Sequence, residues 1–205
     1  DGLEFDIGIF TNLTRDHLDY HKTFKNYFNS KLILFKKLLK KKSYAIYDND
    51  LKISSNLNKI TKYNKIKRLT LGNSKSSFTI INHRFLKDEQ KITFTFDKRI
   101  YSFSTKLIGS IQIKNLLMAI MAAMKSKILL EKILKIIQKI KPVNGRLEKV
   151  GNLYNNGIVI LDYAHTPDAL RTCIKNVKEQ FKLRKINLVF GCGGERDKPK
   201  RKIMG

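Results

Sequence analysis

The sequence predicts an α/β protein: a mostly parallel sheet with a small antiparallel section, followed by the start of a second, Rossmann-like unit. Three observations carry this. Short apolar runs, Phe5 to Phe10 (FDIGIF), Gly157 to Leu161 (GIVIL) and Ile186 to Phe190 (INLVF), read as strands buried on both faces. The first two lead into stretches of helical period. Between residues 68 and 103 the period drops to two, which is the mark of hairpins.

Each element follows from local chemistry. After the first strand, Phe24, Tyr27, Phe28, Lys31, Leu32, Phe35, Leu38 and Leu39 fall at steps of three and four, one face of a helix, with Thr23 as its cap. Tyr44 to Tyr47 reads as a short strand and Asp48-Asn49-Asp50 as a turn, with a polar helix after it. Arg68 to Leu71, Phe78 to Phe85, Ile92 to Phe96 and Ile100 to Phe103 alternate, and are expected to form the antiparallel section. Ile113 to Ser126 and Leu130 to Lys141 read as helices, the second broken by Pro142 and Gly145. Thr166-Pro167-Asp168 is a capped helix start with proline in the first turn, and that helix runs to about Lys182. Strand, helix and strand from Gly157 to Phe190 predict a right-handed parallel crossover. The expected domains are 1–143 and 144–205.

The 205 residues are 42% hydrophobic and 10% aromatic, enough to bury a core. No apolar run reaches the roughly 18 residues that span a bilayer, and no signal-peptide pattern opens the chain. Two cysteines, Cys173 and Cys192, exclude a disulfide scaffold and fit a reducing, cytoplasmic setting. The formal charge is +25. A nucleic-acid-binding module would explain it, but the lysines are spread along the chain and form no single stripe, which predicts solvated faces instead. Filter binding at two salt concentrations separates the two readings. The chain starts at Asp1 and stops at Gly205 after a basic, helix-like run, and is expected to be a piece of a longer protein.

Four stretches carry chemistry. TNLTRDHLDYH, residues 11–21, follows a strand and packs Asp16, His17, Asp19 and His21 together. They could ligate a divalent metal, although four ligands from one short loop strain geometry and no zinc signature is present. The alternative is capping aspartates and a stacked histidine. Lys31 stands on an apolar helix face, where an ammonium must snorkel, pair or lose its proton. A neutral amine there can take up carbon dioxide as a carbamate, an anionic oxygen ligand. DYAHTPDAL, residues 162–170, places Asp162 at a strand end, where a carboxylate accepts hydrogen bonds from ribose hydroxyls; Asp168 reads as a cap. GCGGERDKPKR, residues 191–201, puts glycines and then Arg196, Lys198, Lys200 and Arg201 after a strand, a setting for anions.

Taken in order, TNLTRDHLDYH, NYFNSK, NGRLE, DYAHTPDAL and FGCGGERDKPKR resemble the Mur ligase family over almost the whole chain. The likeness is greatest to members that add a diamino acid to UDP-N-acetylmuramoyl-L-alanyl-D-glutamate. Segment 50–105 contributes little to it. The resemblance implies the latter part of a central ATP-binding domain in 1–143 and the beginning of the C-terminal ligase domain in 144–205. It implies an ATP-dependent amide ligase of cytoplasmic peptidoglycan precursor synthesis. Such an enzyme uses ATP and magnesium, passes through an acyl phosphate, joins meso-diaminopimelate or L-lysine to the UDP-linked dipeptide, and is a monomer at full length. His17 then matches a magnesium ligand and Lys31 a carbamylated lysine that supports the metal site. Asn115 (GSIQIKN) matches the adenine contact, Arg146 (NGRLE) the ATP phosphate contact, Asp162 the ribose contact, and Arg196 a contact to the incoming amino acid. The sequence departs from the family at Ile111-Gln112, where GxFNxxN is usual, and at Pro199, where glycine is usual.

The other reading within the superfamily is another Mur ligase or a folylpolyglutamate synthase-like enzyme, and residues 191–201 argue against it. The phosphate loop pattern GxxGKT is absent from these 205 residues. So are the expected uridine-nucleotide domain, the second acidic metal ligand and the diamino acid selector. The isolated chain is therefore expected to be inactive and to expose sheet edges.

Overall fold

The structure is a computed structural model; it describes residues 2–14, 18–86, 89–193 and 200–205. His17 and Arg196, with Asp16, Lys198 and Pro199, lie outside the described residues.

Strand β1 (Phe5–Phe10) leads to α1 (Leu18–His21) and α2 (Phe24–Ile33). Thr23 Oγ1 accepts the Asn26 N–H at 3.1 Å, so the predicted cap is made. The helix expected through Leu39 instead ends at Ile33. A π turn (Leu34–Leu38) follows, and Leu39 opens β2 (Leu39–Asp48) with its N–H on the Leu34 carbonyl. β2 is thus longer than the short strand expected. Helix α3 (Ser54–Tyr63) and β3 (Lys67–Gly72) come next, then β4 (Phe78–Phe85), β5 (Gln90–Phe96) and β6 (Arg99–Thr105).

One six-stranded sheet contains them all in the order β1-β2-β3-β4-β5-β6. Pairing is parallel from β1 through β4 and antiparallel across β4-β5-β6. Arg68 to Leu71 therefore belongs to the parallel part, contrary to expectation. The reason is topological: helix α3 carries the chain back between β2 and β3, and a strand regained by a helical crossover runs parallel.

Two helices cover one face of the sheet, α4 (Ser110–Lys125) and α5 (Leu130–Ile136, continued as a 3-10 turn to Lys139). They bury Ile113, Leu117, Met118 and Ile133 against Ile46, Leu71, Phe78 and Phe94. On the other face α2, the π turn and α3 bury Leu32, Phe35 and Leu57 against Phe10, Ala45 and Tyr47. β2 alternates between the two cores, Ala45 and Tyr47 to one and Ile46 to the other. A strand with a core on each side has no polar face, which is why this run reads as continuous apolar sequence.

Beyond Pro142 the architecture changes. β7 (Glu148–Asn152) and β8 (Ile158–Leu161) pair antiparallel, and α6 (Pro167–Gln180) and the short α7 (Lys200–Met204) follow. The Thr166 cap is made, with Pro167 in the first turn. Two expectations fail here. GIVIL is half-exposed rather than buried on both faces, and INLVF forms no strand, with Val189 96% exposed. The parallel crossover is thus not closed among the described residues. A strand exists only where a neighbour takes its N–H and C=O groups, and β8 pairs with β7 alone.

Candidate functional site

Helix α4 starts at the carboxyl end of the sheet without a capping side chain of its own. Gly109, at its N-cap, has φ 85° and ψ 149°, a conformation open essentially to glycine. The first N–H groups of any helix lack intrahelical partners. Here α6 supplies them from across the molecule. Gln180 Oε1 accepts the Gly109 N–H at 2.9 Å, and Asn176 Oδ1 accepts the Ile111 N–H at 3.0 Å. Ser110 Oγ donates to the same Asn176 Oδ1 at 3.0 Å. Gln90, fully buried, holds the other side by donating to the Leu107 and Gly109 carbonyls at 2.6 and 3.2 Å.

From this anchored end, α4 presents Gln112 and Asn115 one turn apart on one face. Gln112 Nε2 donates to the Arg146 carbonyl at 2.9 Å, and Asn115 is exposed beyond it. The Gly145–Leu147 turn is held from its other side by the end of β8. Asp162 Oδ2 accepts the Leu147 N–H at 2.9 Å, and the Tyr163 N–H donates to the Gly145 carbonyl at 2.8 Å. Glu148 Oε2 accepts the Gly145 N–H at 2.7 Å. Leu147 is buried with φ 49°, an unusual conformation for a bulky residue that this clamp maintains. The exposed Arg146 guanidinium lies over the Tyr163 ring, 5.5 Å from its centroid. Arg146 and Asp162, which stand far apart in sequence, thus belong to one polar junction, tied through Gln112 to the helix that carries Asn115. A carboxylate has about four acceptor positions, and the Leu147 N–H takes one of those on Asp162. The exposed Arg146 guanidinium is accessible to an anion.

A second polar pair ties α4 to the sheet. Lys114 Nζ donates to Asp48 Oδ2 at 2.5 Å, and Asp48 Oδ1 accepts the Asp50 N–H at 2.9 Å. The Asp48 side chain is 2% exposed and that of Lys114 40%. The two partners are therefore not equivalent. Lys114→Met strands a buried carboxylate and is expected to lower stability by about 2 kcal/mol, discounted because one backbone hydrogen bond remains. Asp48→Asn releases an ammonium that reaches water, and is expected to lower it by about half as much. Urea melts of both variants check the order; equal losses contradict it.

Near the end of β1, Lys31 Nζ stands 6.0 Å from the Phe10 ring centroid and 5.1 Å from that of Tyr27. Tyr27 stacks on His21 with centroids 5.1 Å apart, and Tyr20 meets His21 edge-on. Lys31 is half-buried, with its ammonium held against these two rings. His21 thus packs against both tyrosine rings. Among the described residues no three His, Cys, Asp or Glu side chains gather to hold a metal ion.

A family profile described as Mur ligase middle domain matches residues 1–123, and one described as Mur ligase, glutamate ligase domain matches residues 145–205. The chain belongs to the Mur ligase family. It is 39% identical, over 99% of its length, to the UDP-N-acetylmuramoyl-L-alanyl-D-glutamate--2,6-diaminopimelate ligase of Rickettsia bellii, and covers 42% of that protein. A solved structure of a ligase with that same name superposes with a TM-score of 0.71 at 27% identity, over 99% of this chain and 41% of the other. The MurF ligase of Thermotoga maritima in complex with ADP shares the fold at 15% identity, with a TM-score of 0.70 over 86% of this chain and 40% of the other. The chain spans about two fifths of the length of the relatives it matches.

Within this Mur ligase chain, sequence reading missed Gln112, Lys114, Asn176 and Gln180. Gln112 was visible only as a departure from the family pattern. Lys114 carried a signal, a lysine inside an otherwise apolar helix run. Asn176 and Gln180 sit on α6 with no local mark of what they cap.

Cys173, on α6, responds to the same junction. Burial, then the negative charge of Asp162, pushes its thiol up to about 11. At pH 8 roughly one Cys173 in a thousand is then the reactive thiolate. Iodoacetamide should modify it roughly 100-fold more slowly in the folded chain than in urea, with the rate rising about tenfold per pH unit until pH nears 11. Equal rates with and without urea would contradict this environment.

Proposed function

We propose that the protein carrying this chain is an ATP-dependent ligase that joins a diamino acid to UDP-N-acetylmuramoyl-L-alanyl-D-glutamate in the cytoplasm. The observation that carries the reading is the clamp uniting Asp162, Arg146 and the helix of Asn115. The shared name of the relatives supports the substrate, with diaminopimelate as the amine. The ADP bound by the Thermotoga maritima relative supports the nucleotide. No described helix is long and apolar enough to cross a membrane.

In this reading Asn115 meets the adenine and Asp162 the ribose hydroxyls, and Arg146 reaches the phosphates from the turn that Asp162 itself holds. The glutamate carboxylate attacks the γ-phosphorus, forming an acyl phosphate and releasing ADP. The amine then attacks the acyl carbon, and the tetrahedral intermediate expels inorganic phosphate and gives up a proton. Preorganised cationic and N–H groups stabilise the charge that moves. Arg196 orients the incoming amino acid. His17 would hold a magnesium ion that neutralises phosphate charge, and a carbamate on Lys31 would support that site. The position of Lys31 over Phe10, at the strand end that leads toward His17, supports that pairing. The ligase is a monomer with its domain boundary at residues 143–144, where Pro142 and Gly145 flank the change of architecture.

The test is ADP release and product formation by the protein at the length of its relatives, with UDP-N-acetylmuramoyl dipeptide and meso-diaminopimelate, lysine or D-alanyl-D-alanine as amine. Turnover with diaminopimelate is expected. Turnover with D-alanyl-D-alanine alone assigns another Mur ligase step, and no nucleotide-dependent product with any amine overturns the reading.

A further inference from the structure

Several lysines far apart along the chain come together in space. At the edge of the sheet opposite the candidate site, β2 bulges between its pairing at Leu39 and at Tyr44, and pushes Lys41 and Lys42 outward. The Lys42 N–H donates to the Lys65 carbonyl at 3.1 Å, and Tyr44 pairs with Lys67 across the sheet. Helix α4 ends at the same edge. Lys125 and Lys67 both place Nζ against the Tyr44 ring, 4.8 and 5.5 Å from its centroid, and Lys127 follows. Glu4 before β1, Asp6 within it and Glu131 in α5 are acids on the adjoining segments, and Asp6 already takes Lys40 at 3.4 Å. Exposed apolar side chains stand among these lysines: Tyr63 at the end of α3, and Ile128 and Leu129 directly after Lys127.

We infer that this edge is a docking surface for an anionic lipid bilayer. Clustered ammonium groups meet a layer of acidic headgroups with complementary charge. Tyr63, Ile128 and Leu129 have the character of side chains that enter the headgroup boundary, a role a nucleic-acid backbone does not offer them. Sequence-specific nucleic-acid surfaces favour arginine forks, whereas Arg68, next to this edge, is spent on Asn58 at 2.6 Å. The orientation is also productive: the junction of Arg146 and Asp162 lies at the far end of α4 and stays open to solution.

Three of these lysines allow a test that spares the fold. Lys42, Lys65 and Lys127 have φ of 66°, 54° and 68°, where glycine is the preferred residue. The triple variant Lys42→Gly, Lys65→Gly, Lys127→Gly therefore removes charge without straining the backbone. In flotation of the purified 205-residue chain, vesicles of phosphatidylcholine with about one third phosphatidylglycerol should retain it, and pure phosphatidylcholine should not. Salt at about 1 M should release most of it. The glycine triple should weaken partition roughly 100-fold. Lys175→Gln, Lys178→Gln, Lys182→Gln, an equal loss of charge on and just after α6, should change it less than about threefold, because α6 meets the opposite end of α4, beyond the screening length. Equal losses in the two triples reduce the effect to net charge and overturn the proposal. Equal retention by neutral vesicles overturns it as well. So does tighter binding to a duplex oligonucleotide that the glycine triple abolishes, which assigns the edge to nucleic acid.

Discussion

Gly109→Ala is expected to lower the stability of the chain by about 3 kcal/mol, the sum of a glycine-only backbone conformation and a steric conflict. A Cβ built on Gly109 lies 2.7 Å from both Cβ and Oδ1 of Asn176. Asn176 has little room to move, since its Nδ2 donates to the Thr172 carbonyl at 2.7 Å and its Oδ1 takes two donors from the start of α4. The substitution thus separates α6 from α4 and leaves the first N–H groups of α4 without their caps. Gly151→Ala is the control, because nothing lies within 4 Å of its added Cβ. Urea denaturation of both should show a large fall in midpoint for the first and a change under about 1 kcal/mol for the second. A Gly109→Ala protein as stable as Gly151→Ala would mean that α6 does not cap α4.

Asp162→Ala should reduce kcat/KM for ATP about 100-fold in the full-length ligase, the equivalent of one or two charge-assisted hydrogen bonds. Two losses combine: the acceptor proposed for ribose, and the grip on the Leu147 N–H that keeps Arg146 beside α4. Asp162→Asn keeps an oxygen for that N–H and should lose about tenfold. In the 205-residue chain Asp162→Asn should also speed alkylation of Cys173, because the carboxylate charge that helps raise that thiol is gone. If the alanine and asparagine variants show the same kcat/KM, the clamp plays no part and only the ribose contact matters. If neither variant changes kcat/KM, Asp162 is not at the nucleotide.

Much of the first domain was legible because its elements are decided locally. The stripe from Phe24 to Leu32 makes a helix wherever it stands, and Thr23 caps it through its own next turn. Thr166 and Pro167 do the same for α6. The failures share a different cause. Leu38 and Leu39 continue the helical spacing, yet they pass into a π turn and a strand because β2 must start early enough to reach Phe5. Residues 186–190 have the composition of a buried strand and form none, because no described strand lies beside them.

The candidate site divides along the same line. Its motifs stand in single short segments, so Asn115, Arg146, Asp162, Lys31, His17 and Arg196 could be named from residue types and family resemblance. What joins three of them could not. Gln112 on Arg146, Asp162 on Leu147, and Asn176 with Gln180 on the start of α4 link residues from 15 to 71 positions apart.

By itself, then, the sequence determined the family, the mixed sheet and the residue types available for chemistry, since these depend on local periodicity and contiguous motifs. The tertiary structure alone decided that α6 caps α4, that Asp162 secures the turn of Arg146, and that dispersed lysines share one sheet edge. Hydrogen bonds and charge act over a few ångströms of space, and only the folded chain sets which residues fall within that distance.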